Sequence, residues 1–161
     1  MPIDKQALLD ALRAVVAEDL ERLTSSQRQT AQGATHEEAR PENDKDTRAL
    51  ESTYLARGLA ERVAGLENAQ RALDALKLRD FGEDDPIALS AVVTLEGDAG
   101  SARYFVVPAG GGRELQQLAA TIKTVTPEAP LGRALIGTYV GDEVQVRTPQ
   151  GARELEVVEL A

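Results

Sequence analysis

The chain has 161 residues, of which 42% are hydrophobic and 28% charged, and its formal net charge is −9. It has no cysteine and one histidine, which excludes disulfides, cysteine-ligated zinc, a thiol nucleophile and any site built from several histidines. No basic block resembles a nucleic-acid-binding arm, so we expect no autonomous sequence-specific DNA binding. No stretch approaches the roughly 20 apolar residues of a membrane span, and the first residues lack the apolar core of a signal peptide. We therefore expect a cytoplasmic protein without a membrane partner.

The first predicted element is a helix over residues 4–32, which Asp4 can cap. Its apolar residues recur every three or four positions, as in a helix with one buried stripe. These residues are Leu9, Leu12, Val16, Leu20 and Leu23. Gln27 and Thr30 continue the stripe in polar form, so the apolar contact is expected to thin toward residue 30.

A polar interruption and a second helix follow. Residues 33–46 contain Gly33 and Pro41 and no large apolar residue, and we predict a loop there because Pro41 disfavours helix at the residue before it. The next helix is predicted over residues 46–76, with an apolar stripe formed by Leu55, Leu59, Val63, Leu66, Ala69, Leu73 and Leu76. Two helices of similar length with a short polar link fold back on each other. We therefore predict an antiparallel coiled-coil hairpin over residues 1–78 with its tip at 33–46.

The second half of the chain has the pattern of a sheet domain. Residues 79–87 form a predicted linker, since its three successive acids and Pro86 end any helix. Beyond it, strand-like segments occur at residues 88–95, 102–107, 122–125, 143–147 and 153–160, and residues 115–120 are interpreted as a short helix. The predicted fold class is α+β, a helical hairpin followed by a small antiparallel sheet domain over residues 88–161.

The most specific pattern lies near the C-terminus and combines three motifs in order. Pro127-Glu128-Ala129-Pro130-Leu131-Gly132-Arg133-Ala134-Leu135-Ile136-Gly137 is followed by Gly141-Asp142-Glu143-Val144-Gln145-Val146 and by Thr148-Pro149-Gln150-Gly151. With these spacings the sequence resembles the C-terminal domain of the Gre-type transcription elongation factors (GreA/GreB), closely over residues 122–160 and by strand pattern over 88–121. Members of that family carry a coiled-coil hairpin before a small sheet domain similar to FKBP. The resemblance therefore implies an FKBP-like polymerase-docking domain at residues 88–161.

The resemblance also implies a function. Gre factors bind bacterial RNA polymerase, and their hairpin enters the secondary channel beside the nascent RNA. Carboxylates at the hairpin tip help to hold the second Mg²⁺ of the polymerase, which then cleaves a backtracked transcript. The implied catalytic residues are Glu42, Asp44 and Asp46, and the implied metal ligands are Glu42 and Asp44. The factor would be an accessory protein and not an enzyme, would hold no Mg²⁺ stably alone, would act as a monomer, and would join the nucleoid through the polymerase.

Both implied sites have a simpler structural interpretation. Asp44 and Asp46 lie where a helix is predicted to begin, and acids there are favoured by about 0.3–1 kcal/mol through the helix dipole. The implied polymerase-docking residues are Pro127, Pro130, Leu131, Gly132 and Arg133. Proline and glycine can instead simply shape a turn there while Leu131 and Leu135 fill the core. Ile136 is expected in or near the core beside Leu135.

Three functions remain open from the sequence. The first is stimulation of transcript cleavage. The second is a polymerase-binding regulator without cleavage activity, since some members of the wider family do not stimulate cleavage and the tip acids here depart from the family pattern. The third is an FKBP-like prolyl isomerase or chaperone. Aromatic residues make up only 3% of the chain and a likeness of fold does not carry function, which disfavours the third.

Overall fold

A computed structural model describes residues 2–37 and 45–161, with side chains described for residues 2–32 and 47–161. Two long helices precede a six-stranded sheet, which confirms the predicted α+β class. In the described part of the chain, no helix has an apolar stretch long enough to cross a bilayer. The elements are α1 (Lys5–Glu37), α2 (Lys45–Asp74), β1 (Val92–Gly97), β2 (Gly100–Val106), β3 (Glu114–Gln117), β4 (Ala120–Val125), α3 (Pro130–Leu135), β5 (Glu143–Thr148) and β6 (Gly151–Leu160).

The chain divides into two compact units, and the smaller one, Ala14–Gln70, contains most of α1 and α2. Its apolar stripe thins along the helices, as the sequence predicts. Val16 is buried, and the next apolar side chains are half-buried, namely Leu20, Leu23, Leu59, Val63 and Leu66. Leu55, which the sequence assigns to the stripe, is instead 58% exposed, as are its neighbours Leu50 (57%) and Tyr54 (63%).

Helix α1 ends later in the sequence than predicted, and α2 begins earlier. The predicted loop over residues 33–46 is wrong for residues 33–37, which continue α1 to Glu37, and for Lys45, which begins α2; Asp46 lies in α2, as the helix predicted from residue 46 requires. A glycine inside a helix costs only about 1 kcal/mol relative to alanine, and Thr35-His36-Glu37 contains no helix breaker. The rest of the predicted loop, residues 38–44, lies outside the described residues.

The larger unit, Met1–Arg13 with Arg71–Ala161, holds the sheet and the ends of both long helices. The strand order is β3-β4-β2-β1-β6-β5. Every neighbouring pair is antiparallel except β2 and β4, which run parallel from Arg103 opposite Ile122 to Val106 opposite Val125. The sheet is therefore mixed and not wholly antiparallel as predicted, because β3 forms the outer edge and its hairpin partner β4 lies along β2.

The predicted short helix over residues 115–120 is wrong. These residues form β3, a turn at Leu118 and Ala119, and the first residue of β4. Leu115 and Ile122 are both buried and lie opposite each other in the β3–β4 hairpin, whereas Leu118 is 77% exposed. Pairing with β4 thus decides the structure of a segment whose short apolar pattern fits either element.

The centre of the sheet, at β1, is buried on both faces. On one face, Val93 and Leu95 of β1 share a core with Val106, Val157 and Leu135 of α3. Side chains alternate along a strand, so the intervening residues lie on the opposite face. That face buries Val92, Phe105 and Ile122, and the ends of the long helices in the same unit bury Leu8, Leu9, Leu12 and Leu73. The Leu12 side chain packs beside Gly110, where a Cβ would lie 3.1 Å from Leu12 Cδ1.

Hydrogen bonds fix the segment between α2 and β1. The Arg79 N–H donates to Ser90 Oγ at 3.0 Å, and the Ser90 N–H donates to the Val106 carbonyl at 2.9 Å. The Lys5 ammonium of α1 donates to the Arg79 carbonyl at 2.6 Å and lies 4.7 Å from the centroid of the Phe81 ring. Burial lowers the pKa of Lys5 below its ordinary value. The predicted linker at 79–87 is thus tied to both the first helix and the sheet.

Ser90 offers a test of this attachment, because it is fully buried and has a left-handed φ of 74°. Ser90→Ala removes the acceptor of the Arg79 N–H, and we expect it to lower the free energy of unfolding by about 1–2 kcal/mol. Ser90→Gly loses the same hydrogen bond but relieves the backbone strain of a residue with a Cβ, so it should destabilise less. Urea denaturation followed by circular dichroism measures both. An equal decrease in the free energy of unfolding for both variants would contradict backbone strain at Ser90. No decrease for Ser90→Ala would contradict a stabilising role of the hydrogen bond from the Arg79 N–H.

Candidate functional site

The proline-rich segment near the C-terminus forms a loop that leads into α3. Pro130 is at the start of this helix, where its missing N–H leaves no hydrogen bond unmade. Ala129 before it is extended, with φ −67° and ψ 150°. The Arg133 N–H donates to the Ala129 carbonyl at 2.9 Å and the Ile136 N–H to the Gly132 carbonyl at 3.0 Å. The segment interpreted from sequence as a turn or docking loop therefore contains a short helix.

Two of the predicted docking residues lie on the inner side of α3. A Cβ on Gly132 would lie 1.9 Å from the Thr126 carbonyl oxygen, so this position requires the absence of a side chain. Leu131 is half-buried and packs against the core that contains the fully buried Leu135. Leu131 therefore packs α3 against the core, and Gly132 allows α3 to approach Thr126 in the preceding loop. Pro127 is half-buried in the loop before the helix.

The outer side of α3 presents the other predicted docking residues. Pro130 and Arg133 are exposed and three residues apart, and Ile136 continues this spacing at 39% exposure. Tyr139 follows at 46% exposure. We call these four residues the α3 surface. The expectation that Ile136 lies in or near the core is wrong. Its spacing of three from Pro130, out of phase with Leu131 and Leu135, could have indicated its exposure. Tyr139 was not among the predicted docking residues.

The backbone around Tyr139 is held by its neighbours. Asp142 Oδ2 accepts the Tyr139 N–H at 2.9 Å, and the Asp142 N–H donates to the Tyr139 carbonyl at 3.1 Å. Gly141 between them has a φ of 93°, which glycine adopts without strain. Tyrosine and arginine are the residues most enriched at the energetic centres of protein interfaces. The α3 surface thus combines a cation with apolar and aromatic groups on a fixed backbone, an arrangement suited to contact with another protein.

The predicted catalytic and metal-binding acids are only partly covered by the structure. Glu42 and Asp44 lie outside the described residues. Asp46 is the second residue of α2, so its backbone is in the first helical turn. Within residues 2–37 and 45–161, no group of three or more histidine, aspartate and glutamate side chains is arranged to hold a metal ion. The roles of Glu42, Asp44 and Asp46 therefore stay predictions.

A groove of about 620 Å³ lies on the sheet near the β1–β2 and β5–β6 turns. Its lining includes Leu95, Tyr104, Lys123, Arg153 and Leu155, and Tyr104 is the one aromatic residue among its lining residues. Binding pockets for small organic groups are usually lined by several aromatic and hydrophobic side chains. The composition of this groove gives no support to a prolyl isomerase site.

Comparisons with known proteins agree on one family. The family model described as "Transcription elongation factor, GreA/GreB, C-term" matches residues 83–161. Transcription elongation factor GreA of Nitratidesulfovibrio vulgaris is 30% identical over 146 residues, which cover 89% of this chain and 86% of the relative. Transcription inhibitor protein Gfh1 of Thermus thermophilus is 30% identical over 116 residues, 72% of each chain. The solved structure of Thermus aquaticus Gfh1 aligns with a TM-score of 0.41 at 21% identity and covers 91% of this chain and 92% of that chain.

The close approach at Gly132 yields a stability prediction. Gly132→Ala forces the α3 backbone away from Thr126, and we expect a loss of about 3 kcal/mol or more in the free energy of unfolding. Gly65→Ala in α2 is the matched control, because a Cβ there meets no atom within 4 Å. Alanine is the better helix former, so the control should gain about 0.5–1 kcal/mol. Chemical denaturation of the two variants should give changes of opposite sign, and equal changes would contradict the packing described for α3.

Proposed function

Because the chain belongs to the GreA/GreB family of transcription elongation factors, we propose that it binds bacterial RNA polymerase and stimulates cleavage of backtracked transcripts. The observation that carries the proposal is the extent of the similarity to GreA, which covers 89% of this chain. It therefore includes the helices as well as the sheet domain. In this function the chain is an accessory factor, and the polymerase performs the hydrolysis.

The dimensions of the helices support entry into the secondary channel. Helix α2 has 30 residues and α1 has 33, which correspond to about 45 and 50 Å at 1.5 Å per residue. At one end the two helices are joined by Arg13, whose guanidinium donates to the Leu73 carbonyl at 3.1 Å and lies 3.2 Å from Asp74 Oδ1. In the proposed function, the polymerase channel receives the segment that connects the two helices. In the channel, this segment would lie beside the nascent RNA.

The acids at the predicted tip have the chemistry that the implied ion requires. Magnesium prefers oxygen ligands and commonly takes one or two carboxylates in addition to water and phosphate oxygens. Glu42 and Asp44, with Asp46 next to them in sequence, supply such oxygens. Held jointly with the polymerase, Mg²⁺ would activate water for hydrolysis of the phosphodiester. The contribution of this chain would be to bring the carboxylates to the ion and to keep them there.

The α3 surface is the proposed contact between the sheet domain and the polymerase. Arg133 offers a charge-assisted hydrogen bond to a carboxylate, and Ile136 and Tyr139, three and six residues later in the chain, offer exposed apolar area. Tight packing of Leu131, Gly132 and Leu135 on the sheet keeps these groups in a fixed arrangement. Less conformational entropy is lost when a preorganised surface binds its partner.

A second function is favoured by one specific observation. A transcription inhibitor, Gfh1, has the same 30% identity to this chain as GreA has, over 116 residues compared with 146 for GreA. In that function the protein occupies the polymerase channel without promoting cleavage. The two functions differ in what the tip does, and they share the docking of the sheet domain.

The tip acids distinguish the two functions. We expect the protein to shorten the RNA in backtracked polymerase complexes, and we expect the triple variant Glu42→Ala, Asp44→Ala, Asp46→Ala to lower the cleavage rate by about 10- to 100-fold without loss of binding. RNA length on denaturing gels and polymerase affinity are the two measurements. The control Glu51→Ala, Glu61→Ala, Glu67→Ala removes the same charge from exposed positions of α2 and should cleave as the wild type does. Binding that slows elongation without shortening the RNA would establish the inhibitor function instead.

Docking through the α3 surface is tested separately by charge reversal. Arg133→Glu should weaken polymerase binding by about tenfold and leave the melting temperature unchanged, because the side chain is exposed. Arg147→Glu makes the same change at an exposed position on β5, where side-chain alternation puts residue 147 on the other face from Val144 and Val146. The affinity of both variants can be measured by fluorescence anisotropy. Equal weakening by the two reversals would indicate a general charge effect and contradict docking at the α3 surface.

A further inference from the structure

An open apolar groove of about 580 Å³ lies at the end of α2. Part of its lining comes from α2 and the residues that follow it, and the rest comes from the segments before β1 and after β2. The apolar residues of the lining are Ala72, Ala75, Leu76, Ala88, Leu89 and Pro108. All of them belong to the larger compact unit. We call this feature, together with Lys77 and Arg79 that complete its lining, the α2 groove.

The charged residues of the α2 groove are both cations. Lys77 and Arg79 line it, and among the described residues around it there is no acid in the lining. The whole chain, in contrast, has a net charge of −9. Neither cation forms an ion pair with another of the described residues. The Arg79 guanidinium lies against the Phe81 ring, with its Cζ 4.9 Å from the ring centroid. The groove therefore presents two positive charges beside apolar surface.

The acids that adjoin these cations in sequence face other groups. The Asp74 carboxylate lies 3.2 Å from Arg13 Nε of α1. Burial lowers the pKa of Lys5, and the nearby Asp80 carboxylate opposes this shift. The negative end of the α2 dipole also favours a cation, and Arg13 supplies one by donating to the Leu73 carbonyl at 3.1 Å. The two cations of the α2 groove therefore serve none of these interactions.

Hydrogen bonds hold the parts of the groove together. The Arg79 N–H donates to Ser90 Oγ at 3.0 Å, which joins the segment after α2 to the segment before β1. The Val107 N–H donates to the Val125 carbonyl at 2.9 Å and fixes the chain just before Pro108. A surface with a fixed backbone loses less conformational entropy when it binds a partner.

The composition of the α2 groove favours one kind of occupant. Its apolar groups are aliphatic, and its described lining has no aromatic ring on which a nucleic-acid base could stack. Small-molecule sites are concave and bury most of their ligand, whereas this groove is open. Leu89 is 38% exposed and offers apolar contact, while the cations complement carboxylates. This combination suits a peptide segment that carries both apolar and acidic side chains.

We propose that the α2 groove binds an acidic amphipathic segment of a partner protein. The apolar side chains of that segment would contact Leu76, Leu89 and Pro108, and its carboxylates would pair with Lys77 and Arg79. This inference goes beyond the proposed function and does not depend on it. The α2 groove shares no residue with the α3 surface, so substitutions can test the two surfaces separately.

The test uses a fluorescein-labelled peptide of ten residues in which pairs of glutamate alternate with pairs of leucine. A control peptide has glutamine in place of every glutamate. In fluorescence anisotropy with the full chain, we expect saturable binding of the acidic peptide and binding of the control weaker by about fivefold or more, because charge-assisted hydrogen bonds are the stronger ones. Lys77→Glu should weaken binding of the acidic peptide by about 5- to 20-fold, and Leu89→Ser by about fivefold. Both side chains are exposed, so the melting temperatures should equal that of the wild type.

Arg147→Glu is the matched control, because it makes the same charge change at an exposed position outside the α2 groove. Its affinity for the acidic peptide should equal that of the wild type, and equal weakening by Lys77→Glu and Arg147→Glu would overturn the inference. Equal affinity for the two peptides, or no saturable binding of the acidic one, would overturn it as well. A labelled single-stranded RNA of the same length should bind more weakly than the acidic peptide. Tighter binding of the RNA that Lys77→Glu weakens would assign the groove to nucleic acid and overturn the proposal.

Discussion

Burial of β1 on both faces is the constraint on which the sheet domain depends. Val93 and Leu95 contact the core under α3, and Val92 and Thr94 are buried on the other face. A strand with two buried faces needs a cover on each side. Helix α3 covers one face, and the buried leucines at the start of α1 lie within the same unit as the other face. The proposed docking helix and the start of α1 therefore lie in one compact unit with this strand.

The C-terminal motifs are specific because most of their residues have a structural task. Gly132 permits the contact with Thr126, Gly141 supplies the left-handed turn that Asp142 closes, and the Thr148 hydroxyl donates to the Gly151 carbonyl at 2.9 Å in the β5–β6 turn. Such positions identify a fold from sequence, since few other residues fit them. They say less about the partner, because contact with a partner depends on the exposed residues between them. Arg133 and Tyr139 are of this second kind.

The sequence predicts those parts of the structure that local pattern determines. The long helices have a regular apolar stripe, and the strands at β2, β5 and β6 have alternating residues between glycine and proline turns. The β3–β4 hairpin and the parallel pairing of β2 with β4 were not predicted, because both depend on neighbours distant in sequence. For the candidate site, the sequence indicated Pro130 and Arg133 as docking residues. The proposed binding of Mg²⁺ by Glu42, Asp44 and Asp46 also needs ligands from the polymerase, so this chain alone does not determine it.

The two non-glycine residues with left-handed backbone among the described residues differ in what they gain from it. Ser90 is fully buried, its hydroxyl accepts the Arg79 N–H, and its own N–H bonds to Val106, so the folded chain itself compensates for the strain. Leu118 is largely exposed, and its side chain is absent from the core around Val93 and Leu135. This contrast, within one domain, separates a left-handed residue whose strain is offset by hydrogen bonds of the fold from one whose side chain gains little burial.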